Sequence, residues 1–213
     1  MTKKSLMIIG NSNVGKSSIT RLLLPNPRKF KGKSGKQPGS TLLIKPISQD
    51  NLPYQIEDLP GFGFMTKSSR RREEHVKSQV ILHIEKNYQN YFLSLIIINV
   101  LRIEDELNKY YIQNKKTIPL SFELINFINE LRIPSLILFN KIDKVSNYDM
   151  KKSMALFLKL GKEFGLNLTH LDDYNSKNGL LIPYLEFSAL KKINLNKLLK
   201  FITFVFNERK LLK

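Results

Sequence analysis

The stretch "GNSNVGKSS" (Gly10–Ser18) follows the apolar run "SLMII" (Ser5–Ile9). It fits the pattern G-x-x-x-x-G-K-[ST], and its placement after a predicted strand and before a predicted helix is the context that pattern needs. Gly10 and Gly15 allow backbone angles that turn N–H groups of Asn11, Ser12, Asn13 and Val14 toward a phosphate. The helix starting at Lys16 aims its positive end at the same place. Lys16 can reach β- and γ-phosphate oxygens, the Ser17 hydroxyl can ligate Mg²⁺, and Ser18 completes the loop. Strand, phosphate loop and helix in this order define an α/β protein.

The rest of the chain extends that reading. Strand candidates lie at Ser5–Ile9, Leu42–Ser48, Tyr54–Asp58, Phe92–Val100, Ser135–Phe139 and Leu180–Glu186; helix candidates lie at Lys16–Leu24, Arg71–Asn90, Ser121–Leu131, Asp149–Phe164 and Asn194–Glu208. Such alternation predicts a three-layer fold, with a mostly parallel six-stranded sheet covered by helices on both faces. Only "QDNLP" separates the second and third strand candidates, too little for a helical crossover, so these two are expected to form a hairpin with one strand antiparallel. "RIEDELNKYYIQNKKTIP" (Arg102–Pro119) is polar and long for a connection, and is read as a surface excursion.

The 213 residues suffice for one domain, 1–213. The chain has no cysteine, which excludes disulfides and thiolate metal sites, and its three scattered histidines offer no dedicated zinc site. The N-terminal apolar segment is too short for a signal peptide, and "FLSLIIINVL" (Phe92–Leu101) is far below the roughly 20 residues of a membrane span. A cytoplasmic location is expected. Net charge is +17, carried by 27 Lys and 8 Arg against 18 acidic residues. That balance favours a polyanionic partner.

The base is read from "FNKID" (Phe139–Asp143). It follows a strand on the side where open α/β sheets hold ligands. The Asp143 carboxylate can accept from the N1–H and 2-amino groups of guanine; adenine would leave it poorly paired. Asn140 can brace the loop, and the Lys141 stem can cover the base. "FSAL" (Phe187–Leu190) follows the last strand and offers the Ala189 N–H to the guanine O6, with Phe187 and Ser188 beside it. In "DLPGFG" (Asp58–Gly63), Asp58 can hold Mg²⁺ through water, Leu59 and Pro60 carry the chain onward, and the Gly61 N–H can meet the γ-phosphate. Upstream, "KQPGSTLLI" supplies Gly39, Ser40 and Thr41; Thr41 is preferred over Ser40 as a second Mg²⁺ hydroxyl.

These five segments, in this order across nearly the whole chain, resemble the TRAFAC class of GTPases, and most specifically the EngB (YihA-type) ribosome-biogenesis family. "DLPGFGF" is the most telling, and "IPLSFELINFINELRIPSLILFNKIDKV" resembles the archaeal branch. One departure stands in "NVLRIEDE", where Asn99 occupies the place of the family's usual Asp. The resemblance implies a Ras-like G domain that hydrolyses GTP to GDP and acts, as a monomer, in assembly of the large ribosomal subunit. Phe62 stands where Ras-like enzymes carry a water-orienting Gln, so slow intrinsic hydrolysis is expected. By the same resemblance, Asn13 marks K⁺-assisted hydrolysis. The segments expected to sense the γ-phosphate, Pro25–Thr41 and Gly61–Arg72, are both basic and point to ribosomal RNA. Two other uses are weighed: a nucleotide-gated module at the division site, from the family's association with septation, and a G domain serving a membrane transporter. The C-terminal stretch from Lys191 reads as an amphipathic helix packing on the sheet.

Overall fold

The computed structural model describes residues 3–30, 44, 46–61, 70–112, 117–176 and 181–211. Its strands are β1 (Ser5–Gly10), β2 (Gln55–Asp58), β3 (Tyr91–Asn99), β4 (Ser135–Asn140), β5 (Leu168–His170) and β6 (Ile182–Phe187). Its helices are α1 (Lys16–Leu23), α2 (Arg70–Asn87), α3 (Ile103–Leu107), α4 (Leu120–Glu130), α5 (Asn147–Glu163) and α6 (Leu195–Leu211). The sheet order is β2-β1-β3-β4-β6-β5, and every pairing is parallel.

Side-chain alternation along the strands builds two cores. Met7, Ile9, Ile96, Ile98, Ile137 and Phe139 face Val80, Phe122 and Phe157 from α2, α4 and α5. Leu6, Ile8, Leu95, Ile97, Leu138 and Leu185 face Ile19 of α1 and Leu198 and Ile202 of α6. A sheet covered on both faces explains why every residue of β3 is buried. α6 packs on the sheet through Leu198, Phe201, Ile202 and Val205, as expected for its amphipathic pattern.

Three expectations are corrected. First, the antiparallel strand is not there: among the described residues the sheet is wholly parallel. The hairpin survives as one antiparallel bridge, Ile47 to Ile56, with N–H···O distances of 2.8 and 3.0 Å. Pro46 has no N–H to give a ladder, and Pro53 interrupts the other arm, so pairing stops at one residue. Leu42, Leu43 and Lys45 lie outside the described residues. Second, the sixth strand is β5, whose three residues "LTH" are too few to show a period. Third, Arg102–Pro119 is not merely a surface excursion. Ile103 and Leu107, spaced four apart, are buried in the core under α3. The chain then continues through a π-helical turn, Asn108–Ile112, where the Tyr111 ring packs on Phe164 and its hydroxyl donates to Glu163 at 2.7 Å.

Candidate functional site

Asn11–Gly15 leave the carboxyl end of β1 and enter α1 at Lys16. Gly15 has φ +106°, and a Cβ there would collide with the Asn140 side-chain amide, so glycine is required on both conformational and steric grounds. Asn13 also sits in the left-handed region, at φ 63°, which asparagine tolerates.

Lys16 is buried, and its Nζ donates to the carbonyls of Gly10 at 3.0 Å and Asn11 at 2.8 Å. Burial draws its pKa down to about 8, partly opposed by the Asp58 charge. The same burial raises the Asp58 carboxyl, opposed by Lys16 and by the hydroxyls of Ser17 and Thr20. The Ser17 hydroxyl donates to Asp58 Oδ2 at 2.9 Å, and Ser12 Oγ donates to the Gly61 carbonyl at 3.2 Å. A half-buried carboxylate joined to a hydroxyl at a helix start is the all-oxygen donor chemistry that suits Mg²⁺, so Ser17 and Asp58 fit that ion. The phosphate loop, α1 and the end of β2 are thereby brought together.

Leu59 is buried, and its N–H continues the β1 pairing by donating to Ile8 at 3.0 Å; Pro60 is buried beside it. Val14 is buried in the α1 core, while Ser18 lies exposed on the first turn, its N–H bonded to Gly15 O at 3.1 Å. Gly39, Ser40, Thr41 and Phe62 lie outside the described residues, as do most of the two basic segments.

The base side is joined by side chains. Asn140, 1% exposed, donates Nδ2 to Val14 O at 2.7 Å and accepts at Oδ1 from the Ala189 N–H at 3.0 Å. Lys141, in the left-handed region at φ 71°, extends its Nζ to Asn13 O at 2.6 Å. Ser188 Oγ donates to Asp143 Oδ1 at 2.6 Å and accepts from the Lys191 N–H at 3.0 Å. Phe187 anchors this last loop in the core. Sequence reading missed Thr20, fully buried, which shares in holding Asp58 and donates to Lys16 O at 3.1 Å. Its position four after Lys16, on the same helical face, was the available signal. It missed Arg102 as well, which lines a pocket beside the phosphate loop with Asn11, Ser12, Asn99 and Glu106.

A parallel sheet flanked by helices, a phosphate loop entering α1 and an Asn-Lys-x-Asp loop tied to it define the class of P-loop GTPases. Residues 5–141 match the family model described as 50S ribosome-binding GTPase. The probable GTP-binding protein EngB of Methanococcus maripaludis is 32% identical over 185 residues, 87% of this chain and 70% of its own. The EngB of Methanococcus aeolicus is 33% identical over 152 residues, 71% of this chain and 63% of its own. A crystal structure of a probable GTP-binding protein EngB superposes with a TM-score of 0.74 at 25% identity, covering 96% of this chain and 99% of that one. The fold is shared with Era, seen in complex with a GTP analogue and a segment of 16S ribosomal RNA, at a TM-score of 0.54, 24% identity, and coverage of 95% and 56%. This chain belongs to the EngB family of GTPases, on its archaeal side.

Proposed function

We propose that the chain binds GTP and GDP at this site as a monomeric G domain in the cytoplasm, hydrolyses GTP slowly, and uses the cycle to gate attachment to the large ribosomal subunit or its precursor. The observation that carries the nucleotide reading is Asn140: one side chain ties the phosphate loop to the loop that faces the base. The ribosomal reading is supported by the description of the matching family and by the +17 charge. No described helix is long and apolar enough to cross a membrane.

In this reading the N–H groups of residues 11–17 wrap the phosphates, and Lys16 trades its two carbonyl partners for β- and γ-oxygens. A phosphate anion raises the Lys16 pKa again by adding negative charge beside the buried ammonium. Ser17, Asp58 and Thr41 would hold Mg²⁺, which would offset phosphate charge when bound. The Gly61 N–H meets the γ-phosphate, Asp143 and Ala189 read the guanine edge, and the Lys141 stem covers its face. Asn13, exposed at the rim of the loop, would hold K⁺, which would offset charge developing between the phosphates. With Phe62 unable to orient water, intrinsic turnover is slow.

The test is co-sedimentation of the full chain with ribosomal subunits in a non-hydrolysable GTP analogue, GDP or no nucleotide, at two salt concentrations. Retention on the large subunit with the analogue alone supports the reading. Absence of subunit binding in every state removes the ribosome from it.

A further inference from the structure

We propose that the cationic rim around the base pocket is a landing surface for single-stranded RNA, and that RNA held there slows release of the guanine nucleotide. The inference rests on the ribosomal reading above and deepens it, by naming a surface other than the basic segments flanking the γ-phosphate.

Strands β3, β4 and β6 are neighbours, and Asn99, Asn140 and Phe187 stand opposite one another at their carboxyl ends. The loops that follow therefore lie side by side, about 4.8 Å apart at their roots. They carry Arg102 from the first, Lys141 and Lys144 from the second, and Lys191 and Lys192 from the third. Among the described residues Lys144, Lys191 and Lys192 are exposed and form no ion pair. Of the carboxylates nearby, Asp143 accepts from Ser188, and Glu104 pairs with Lys152 and accepts from Ser153. Lys141 is held below the usual lysine range by burial and then by the like charges of Lys144 and Arg102, a repulsion that a polyanion would relieve.

The two most exposed large apolar side chains among the described residues sit on these same loops. They are Tyr148, 76% exposed on the first turn of α5, and Leu190, 71% exposed beside Lys191. The Leu190 loop is tied down by its own hydrogen bonds. Ser188 bridges Ile193, the Lys191 N–H binds Ser188 Oγ, and Asn194 Nδ2 reaches Glu186 O at 2.8 Å. A preformed loop loses little order on binding. An exposed tyrosine four residues after Lys144 suits base stacking with phosphates alongside, which a single strand offers and a duplex does not. A membrane surface would call for a continuous apolar face instead.

Lys141 of this rim follows Asn140 in the base-reading loop, and its Nζ holds Asn13 of the phosphate loop. A strand lying across the rim covers the path by which the base leaves. Covering that path slows entry and exit of the nucleotide alike, so the effect is read in the release rate.

The test uses the full chain, a fluorescent GDP analogue and an oligouridylate of about a dozen nucleotides, with a duplex of equal length and phosphatidylglycerol vesicles as controls. The single strand is expected to bind in a salt-dependent way and to slow nucleotide release several-fold. Tyr148→Ala, and the triple variant Lys144→Ser, Lys191→Ser, Lys192→Ser, should each weaken RNA binding about tenfold, with nucleotide affinity and thermal midpoint unchanged in the absence of RNA. The triple variant should also flatten the salt slope by about two, since each phosphate neutralised on a single strand contributes roughly 0.7. RNA binding equal to that of the unmodified chain in both variants, an unchanged release rate, equal binding of the duplex, or binding of vesicles alone would overturn the proposal. Sedimentation separates the two readings. GTP-dependent subunit binding that survives in both variants rejects the rim and leaves the ribosomal reading standing, whereas no subunit binding by the unmodified chain rejects the ribosomal reading.

Discussion

Two asparagines end neighbouring strands in register, Asn99 on β3 and Asn140 on β4, and both are buried. They do different work. Asn140 spans the sheet edge, binding Val14, 126 residues away in sequence, and Ala189, 49 away. Asn99 accepts from the N–H of Leu101, two residues on, and so caps its own turn. Residue type and strand position are the same; what differs is the group each side chain binds. The phosphate loop and the β6–α6 loop converge on β4, while β3 runs into α3, whose own end is satisfied elsewhere. Glu106, 6% exposed, accepts the Ser121 N–H at 2.7 Å and so caps α4, whose N-cap position is Pro119.

Substitutions grade this contrast. Asn140→Ala strands a carbonyl and an N–H at once, and should lower unfolding free energy by about 2–4 kcal/mol. GDP affinity should fall at least about a hundredfold with it; urea denaturation and calorimetric titration measure the two losses. A loss confined to GDP affinity, with stability intact, would deny Asn140 its bracing role.

Glu106→Ala leaves the Ser121 N–H unpaired and should cost about 1–2 kcal/mol, with GDP affinity changed less than about threefold. Glu106→Gln keeps that bond and carries a pH signature. Burial raises the Glu106 carboxyl above its unfolded value, so the folded state binds the proton more tightly. Its favourable contribution is full below the unfolded pKa and is lost as pH rises through the folded one. The Gln variant should therefore match the unmodified chain in acid and gain on it toward neutrality. A gap that widens in acid would contradict the assignment.

Asn99→Ala removes one local cap and should cost about 0.5–1 kcal/mol, with GDP affinity within about twofold. Asn99→Asp keeps an acceptor for the same N–H and should be near neutral in both measurements. A tenfold effect of either on nucleotide binding would erase the contrast with Asn140.

The site was legible in the sequence where chemistry is local. The phosphate loop and the Asn-Lys-x-Asp loop each state their residues within eight positions or fewer, and the alternation of apolar runs placed β1, β3 and β4 within a residue or so of their bounds. What failed was decided by distant partners. Pro46 and Pro53 cut the expected hairpin to one bridge, which spacing alone did not weigh. β5 exists because β6 offers it an edge, and no three-residue stretch announces that. The polar look of 102–119 hid the buried positions 103 and 107 and a carboxylate whose partner lies fifteen residues on.

Guanine recognition by the loop that Asn140 braces is put to the test by titrating GDP and xanthosine diphosphate against the unmodified chain and Asp143→Asn. Asp143 accepts from the guanine N1–H and 2-amino groups; Asn instead offers a donor to the xanthine 2-oxo group. A loss of about a thousandfold for GDP is expected in the variant, with xanthosine diphosphate becoming the preferred ligand. Unchanged GDP binding by Asp143→Asn would contradict guanine recognition at this loop.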